Sequence, residues 1–265
     1  MPANENAKLS GRTVKHYHEL LSSIFRTAVE WNVITNNPVS RVRAPRTAKK
    51  APQYYEEPQV IELLQLLEKA PLKYKTMIYM AIDTGLREGE LTGLKWEDIK
   101  FEERHININK QRQYIHGYGV ITKEPKTESG NRVITISEML SGLLKALKSE
   151  QKLAQFSMGS KWIDSGYVFV GDNGEPMHPH RPYKWFVNFL EKNNLPKITF
   201  HALRHTNASL LLAEGTDIVT LSGRLGHADK NVTLNVYSHL LKSKEKQASS
   251  KMDEFYSKNK IITPF

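Results

Sequence analysis

Three short segments concentrate the residue types that hold an anion or move a proton. The first is Thr84-Gly-Leu-Arg87-Glu-Gly-Glu90-Leu, in which Arg87 follows a glycine break and falls at the first turn of a new helix. A guanidinium there adds its fork of donors to free backbone N–H groups, a combination suited to an anionic ligand. Glu90, three residues on, shares that helical face and can hold the arginine, although a plain surface Arg–Glu pair has the same spacing. The second segment is His201-Ala-Leu-Arg204-His205 at a helix start, followed by Leu225-Gly226-His227. His201 and Arg204, at i,i+3, point the same way, and Gly226 reads as a helix terminator that leaves His227 on the connecting loop. His201 and His205 also have the i,i+4 spacing of a zinc pair. Ala202, however, stands where a His-Glu-x-x-His motif has its glutamate, and with no cysteine or obvious third ligand no metal is expected. The third segment holds Tyr237, ten residues after His227, within Asn231-Val-Thr-Leu-Asn-Val-Tyr-Ser-His-Leu. Taken singly, a tyrosine on an amphipathic helix is a core-edge residue with its hydroxyl in water, and nothing local makes this one reactive.

The elements that must position these residues follow from periodicity. A helix can begin at Ser10 as N-cap, with Val14, Tyr17, Leu20, Leu21, Ile24, Phe25 and Ala28 at helical spacing, and should stop near Trp31–Asn32. A short second helix carries Asn37-Pro38-Val39. The stretch from Ser40 to Pro52 is basic, proline-containing and aperiodic, and reads as a linker suited to crossing a phosphate backbone. Helices are then expected over residues 58–69, 73–84 and 87–94, the second of them apolar enough through Met77-Ile-Tyr-Met-Ala-Ile82 to be deeply buried. The period next changes to two, over residues 105–109, 120–122 and 132–136, giving a small antiparallel sheet of about three strands. The turn-rich segment between the last two holds Lys123 and Lys126. Helices resume over residues 137–153, 179–193, 201–214, 217–225 and about 232–241, interrupted by a short Tyr167-Val-Phe-Val170 strand. The fold class is therefore mainly α with a small antiparallel β-sheet (α+β).

Composition narrows the function classes. The chain has 265 residues, a hydrophobic fraction of 39% and a charged fraction of 25%, an ordinary globular balance with room for about two domains. No apolar run approaches the roughly 20 residues needed to span a bilayer, so no membrane partner is expected. The opening Met-Pro-Ala-Asn-Glu-Asn has no apolar region of a signal peptide. The absence of cysteine removes disulfides, thiolate metal sites and a cysteine nucleophile together. A net charge of +10 points to a polyanion, nucleic acid first, though a basic soluble surface has the same charge. Residues 1–52 hold nine Lys or Arg against three acidic residues. Lys15, Arg41, Arg43, Arg46, Lys49 and Lys50 are the candidate DNA contacts among them.

It is the order of the segments that carries a resemblance. Arg87, a hairpin lysine, His201-x-x-Arg204, Gly226-His227 and Tyr237 resemble, in order and approximate spacing, the signature of the tyrosine recombinase family. Thr84-Gly-Leu-Arg-x-Gly-Glu-Leu is similar to its first arginine motif, followed by Leu94-x-Trp96-x-Asp98-Ile99. Pro125-Lys126-Thr127-x-Ser129 is similar to the hairpin that carries the family's lysine, with Lys123 as the rival position. His201-x-Leu-Arg-His-Thr206, Leu225-Gly-His227 and Tyr237-x-His239 resemble the C-terminal motif nearly throughout. The likeness covers roughly residues 10 to 245 and is nearest in flavour to integrases of phages and conjugative transposons of Gram-positive bacteria.

The resemblance implies a tyrosine recombinase catalytic fold over residues 53–241. It would be preceded by a partial core-binding helical domain (1–39) and the basic linker (40–52), and followed by a tail (242–265) that exchanges between protomers or is unstructured. Helices that precede residue 10 in the family, and its arm-site domain, have no counterpart in this sequence, so the chain is read as shortened or truncated. The implied activity is site-specific DNA strand exchange through a 3′-phosphotyrosine, with no cofactor, metal or ATP. In that chemistry Arg87 and Arg204 clamp the phosphate, Tyr237 attacks, and Lys126 protonates the leaving oxygen. His201 takes or steers the tyrosine proton, His227 binds the phosphate, Glu90 supports Arg87, and His239 is structural or touches DNA. The implied partners are double-stranded DNA at recombination sites, further copies of the chain in a DNA-assembled tetramer, and accessory DNA-bending or directionality proteins. The implied place is the bacterial cytoplasm, in action at the nucleoid. Two rival readings are a non-cutting DNA-binding regulator on the same scaffold and a type IB topoisomerase-like activity.

Overall fold

Ser10 accepts a hydrogen bond from the Thr13 N–H at 3.1 Å and so opens α1, Gly11–Glu30. The computed structural model describes residues 9–46, 53–124, 130–226, 234 and 249–259, and the chain divides into a first unit ending at Ala51 and a second beginning at Pro52. In the first unit, Asn37 caps a 3-10 turn, Pro38–Arg41, by accepting from the Val39 N–H at 3.0 Å. The Asn37 amide donates to the Ser22 carbonyl at 2.9 Å, and the His18 ring meets the Val42 carbonyl at 2.8 Å, so the turn folds back on α1. No residue of α1 is buried: Val14, Tyr17, Leu20, Leu21 and Ile24 form an apolar stripe that stays exposed. Periodicity defined that face without defining what covers it.

The second unit begins on the chemistry of Tyr55. Its N–H donates to the Thr206 hydroxyl at 3.1 Å and its own hydroxyl donates to the Pro196 carbonyl, so the incoming chain is fastened to the second half of the unit. Burial, together with the Glu62 carboxylate, pushes the Tyr55 phenol up to about 12. Three helices follow: α2, Glu57–Leu67; α3, Leu72–Thr84; and α4, Glu88–Gly93. α3 is buried on most of its circumference through Tyr74, Met77, Ile78, Met80 and Ala81, as its run of apolar residues predicts. It packs between α5, Glu138–Met158, and α7, Ala202–Ala213.

The β structure differs from the sequence expectation in its pairing. One antiparallel sheet has the order β1 (Ile99–Lys100), β2 (His105–Ile108), β5 (Arg132–Thr135). The strand expected around residues 120–122 is instead β4 (Gly119–Lys123), paired with β3 (Gln111–Ile115) in a separate hairpin. β3 escaped the period-two pattern because its one buried position is Arg112, whose guanidinium donates to the Met177 carbonyl at 2.8 Å and lies over the Tyr167 ring. Residues 167–170 are not a strand: they form isolated bridges, Lys95 with Tyr167 and Val170 with Pro176. The Leu94-x-Trp96-x-Asp98-Ile99 motif is structural, since Asp98 accepts from the Lys95 N–H at 2.9 Å and turns the chain into β1.

The remaining helices are α6, Arg181–Lys192, and α8, Ile218–Leu225, the latter capped by Asp217 accepting from the N–H groups of Val219 and Thr220. The helix expected over residues 232–241 lies outside the described residues apart from Leu234, and residues 249–258 of the tail are helical with Phe255 and Tyr256 exposed. The core of the unit gathers Leu63, Leu67, Met77, Leu91, Ile106, Ile134, Leu144, Phe186, Phe200 and Leu203 into one cluster. The fold is thus mainly helical with a small antiparallel sheet.

Two glycines let α3 and α4 meet at this core. Gly85 ends α3 in the left-handed region at φ +65°, where a Cβ would stand 2.6 Å from Leu225 Cδ2 and 2.8 Å from Asn207 Oδ1. At Gly89 a Cβ would stand 2.7 Å from the Arg112 carbonyl oxygen, so α4 lies against β3 only with glycine there. Gly85→Ala is expected to destabilise the protein by about 1–3 kcal/mol through backbone strain and crowding. Chemical denaturation measures this, and an unchanged midpoint and slope would show that the turn accepts a side chain.

Candidate active site

The α3–α4 turn delivers Arg87, and it does so one position earlier than the sequence suggests. Arg87 is the N-cap of α4, with extended backbone at φ −71°, ψ 150°, rather than a member of its first turn. Its backbone N–H is therefore not open to an anion: it donates to Glu90 Oε2 at 3.0 Å. The guanidinium donates from Nη1 to Glu90 Oε1 at 2.9 Å, and among the described residues this is its only protein partner. The Arg87 side chain remains 38% exposed while that of Glu90 is 5% exposed, so the pair presents a cation outward over a hidden anion. Burial pushes the Glu90 carboxyl up, but hydrogen bonds and charge from Arg132 and Arg87 outweigh it and hold the group below the usual carboxylate range.

Arg204 approaches the same turn from α7. Only 3% exposed, it donates from Nη1 to the Gly85 carbonyl at 2.9 Å and from Nη2 to the Leu225 carbonyl at 2.7 Å. It therefore joins the end of α3 to the end of α8. Asn207, one turn further along α7, donates to the carbonyls of Ile82 and Asp83 at 2.7 and 2.9 Å. These are the orphan carbonyls that any helix leaves at its C-terminus, here answered by side chains of the His-x-x-Arg helix. Thr206 of the same motif donates to the Ala202 carbonyl and accepts from the Tyr55 N–H.

His201 stands at the N-cap of α7, its ring edge-on to that of His205 at a centroid distance of 5.3 Å. Partial burial, then the charges of Arg204 and Arg87, push the His201 imidazole below its ordinary value, with Glu90 opposing. That both arginines act on this ring places Arg87, His201 and Arg204 in one electrostatic neighbourhood. His205 is pushed down to about 4 by burial and by the charges of His201 and Arg204. Both shifts disfavour the protonated ring, which biases His201 towards the form that accepts a proton.

Sequence reasoning missed two arginines that the fold brings to this site. Arg132, at the start of β5, contacts both oxygens of Glu90 at 3.1 and 2.9 Å. Arg224, on α8, donates to the carbonyls of Thr135 and Asp83 at 2.9 and 2.7 Å. No local pattern marks either one: Arg132 reads as a polar position of a strand and Arg224 as the basic end of a helix. Lys123 ends β4 and is exposed, whereas Lys126, His227, Tyr237 and His239 lie outside the described residues. In the first unit Arg41, Arg43 and Arg46 are exposed and Lys15 pairs with Glu19 at 3.7 Å, while Lys49 and Lys50 lie outside the described residues.

Comparison with known proteins matches residues 53–244 to the phage integrase family. The ICEBs1 integrase of Bacillus subtilis (strain 168) is 31% identical over 247 residues, 93% of this chain and 66% of that protein. A tyrosine recombinase XerC-like protein of Caldanaerobacter subterraneus is 27% identical over 262 residues, 93% of this chain and 67% of its own length. The chain thus spans about two thirds of the length of these curated relatives. Among solved structures, the Tn1549 transposon integrase in complex with transposon right end DNA superposes with a TM-score of 0.74 at 30% identity, over 93% of this chain and 80% of that one.

The lowered histidines make a pH prediction. A ring kept neutral in the folded state binds its proton more readily when unfolded, so stability is full above pH 6.5 and is lost as the pH falls from there to about 4. Thermal midpoints should decline across that window, and less steeply in His205→Gln than in the wild type. Parallel declines would show that His205 does not contribute to the acid limit.

Proposed function

The chain belongs to the phage integrase family, and from that premise we propose that it is a site-specific DNA recombinase that cuts and rejoins strands through a 3′-phosphotyrosine. The observation that carries the reading is the convergence of Arg87 and Arg204 on the α3–α4 turn, with His201 one turn before Arg204. A phosphodiester under attack gathers charge on its non-bridging oxygens, and fixed, always-ionised donors lower that barrier. Arg87 is outward-facing and braced from behind, which is what a phosphate clamp requires. Arg204 is more deeply set and stiffens the same corner.

In the proposed reaction Tyr237 attacks phosphorus and the bond to the 5′ oxygen breaks, leaving a 3′-phosphotyrosine and a 5′-hydroxyl. His201 takes the phenolic proton, and Lys126 gives a proton to the departing oxygen. His227 donates to the phosphate, and His239 is structural or touches DNA. The phosphodiester is exchanged for another ester of similar energy, so rejoining is the same step in reverse with the 5′-hydroxyl of the partner strand. Loss of one clamp donor should lower the cleavage rate by about 10²–10³.

Double-stranded DNA is the proposed substrate, held in part by Lys15, Arg41, Arg43, Arg46, Lys49 and Lys50. Residues 1–39 act as a partial core-binding piece, 40–52 as the linker, 53–241 as the catalytic domain and 242–265 as the tail that contacts a neighbouring protomer. A tetramer assembled on two duplexes, assisted by DNA-bending or directionality proteins and acting at the bacterial nucleoid, completes the proposal. The Tn1549 integrase, seen with transposon DNA at 30% identity, supports the choice of substrate. No helix among the described residues is long and apolar enough to cross a membrane.

The test is covalent trapping on a nicked duplex bearing the ends of the mobile element in which the gene lies. A DNA-linked species that survives denaturation, forms in EDTA and is absent in Tyr237→Phe is the expected result. DNA binding with no adduct would instead favour a non-cutting regulator. Relaxation of plasmids lacking any such site would favour a topoisomerase.

A further inference from the structure

Arg132 holds a position that the clamp depends on but does not include. Its side chain is 7% exposed, and its fork faces Glu90, with Nη1 on Oε1 at 3.1 Å and Nη2 on Oε2 at 2.9 Å. Arg87 takes the other side of the same carboxylate, with Nη1 on Oε1 and the backbone N–H on Oε2. Each Glu90 oxygen therefore receives one donor from each arginine. Arg132 further donates from Nε to the Arg224 carbonyl at 2.8 Å, in the last turn of α8, two residues before the Gly226 that ends that helix. The same β5 strand is tied to α8 a second time, by the Arg224 guanidinium on the Thr135 carbonyl.

A carboxylate and a guanidinium prefer the two-point, fork-to-fork pairing. With Arg132 occupying that mode, Glu90 offers Arg87 one oxygen for its side chain and one for its backbone. Arg87 is thus oriented without being drawn down and paired at both ends. Without Arg132, the Glu90 carboxylate would turn its whole negative face to Arg87 and withdraw the cation from the surface. The net charge of the three groups is +1 with Arg132 and zero without it. We infer that Arg132 is a positioning residue for strand cleavage: it occupies the fork of Glu90 so that Arg87 stays directed at the scissile phosphate, and it fixes the end of α8 to the same carboxylate. This rests on the reading of the chain as a DNA-cutting enzyme.

Arg132→Lys keeps the charge but loses the fork, and Arg132→Met keeps the length but loses every donor. Each is compared with wild type in single-turnover cleavage of two nicked duplexes, one with an ordinary scissile phosphodiester and one with a methylphosphonate there. The methylphosphonate replaces one charged oxygen by a methyl group and so asks less of an arginine clamp. Both variants should cut the phosphodiester more slowly by about 10²-fold, bind the duplex within about threefold of wild type, and recover most of the deficit on the methylphosphonate. The two rates come from one preparation, so any loss of folded protein cancels in their ratio. An unchanged rate, or an equal deficit on both duplexes, would overturn the inference. If wild type itself forms no adduct on either duplex, it is the functional reading that fails, and this inference with it.

Discussion

The buried carboxylate of Glu90 is the constraint around which the candidate site is arranged. An ionised group nearly withdrawn from water is stable only when its lone pairs are all answered. Here two arginines and a backbone N–H supply four donors. The arrangement also solves a problem that Arg87 creates. A cation at a helix N-terminus opposes the helix dipole, and Glu90, in the first turn of α4, offsets it. Because the three groups together keep one positive charge, the site is stable without being neutral. That residual charge at a partly exposed guanidinium is what an anionic substrate can use.

The other cations of the site are held by the opposite poles of helices. α3 ends on carbonyls that point at α7 and α8, and Asn207, Arg204 and Arg224 donate to those of Asp83, Gly85 and their neighbours. Arg204 also takes the Leu225 carbonyl at the end of α8. Two helix C-termini, negative by their dipoles, are therefore closed by guanidinium groups, which satisfies both sides and keeps the arginines ordered. Gly85 and Gly226, both in the left-handed region, end the two helices whose carbonyls are taken in this way. Order in the site is thus a by-product of helix termination, and the histidines inherit its field: His201 and His205 sit beside guanidinium groups that disfavour their protonation.

Helices α2, α3 and α5 to α8 were legible from periodicity because each buries an apolar face in one of two clusters, the main one or the smaller one of Ala208, Leu212, Leu221 and Leu225. Where a polar residue took a core position, the reading failed. β3 hides Arg112 and so shows no apolar period, and β4 pairs with it rather than with the sheet that periodicity suggests. Arg132 and Arg224 carry no local signal for a related reason. Their importance lies in contacts 42 and 92 positions away along the chain, to Glu90 and between one another, and nothing in their own segments encodes such contacts. In the first unit the stripe of α1 was read correctly as a periodic face, yet it is exposed, because a pattern specifies which side is apolar and not what lies against it.

What the sequence determined by itself was the choice of Arg87, His201 and Arg204 as candidates, the glycines that end α3 and α8, and the α+β class, since each is carried by residue type and short-range spacing. What only the tertiary structure decided was how Arg87 is aimed. Its orientation depends on a carboxylate shared with a strand 42 residues away, and only folding brings a lone pair and its donors within hydrogen-bond reach across such a gap.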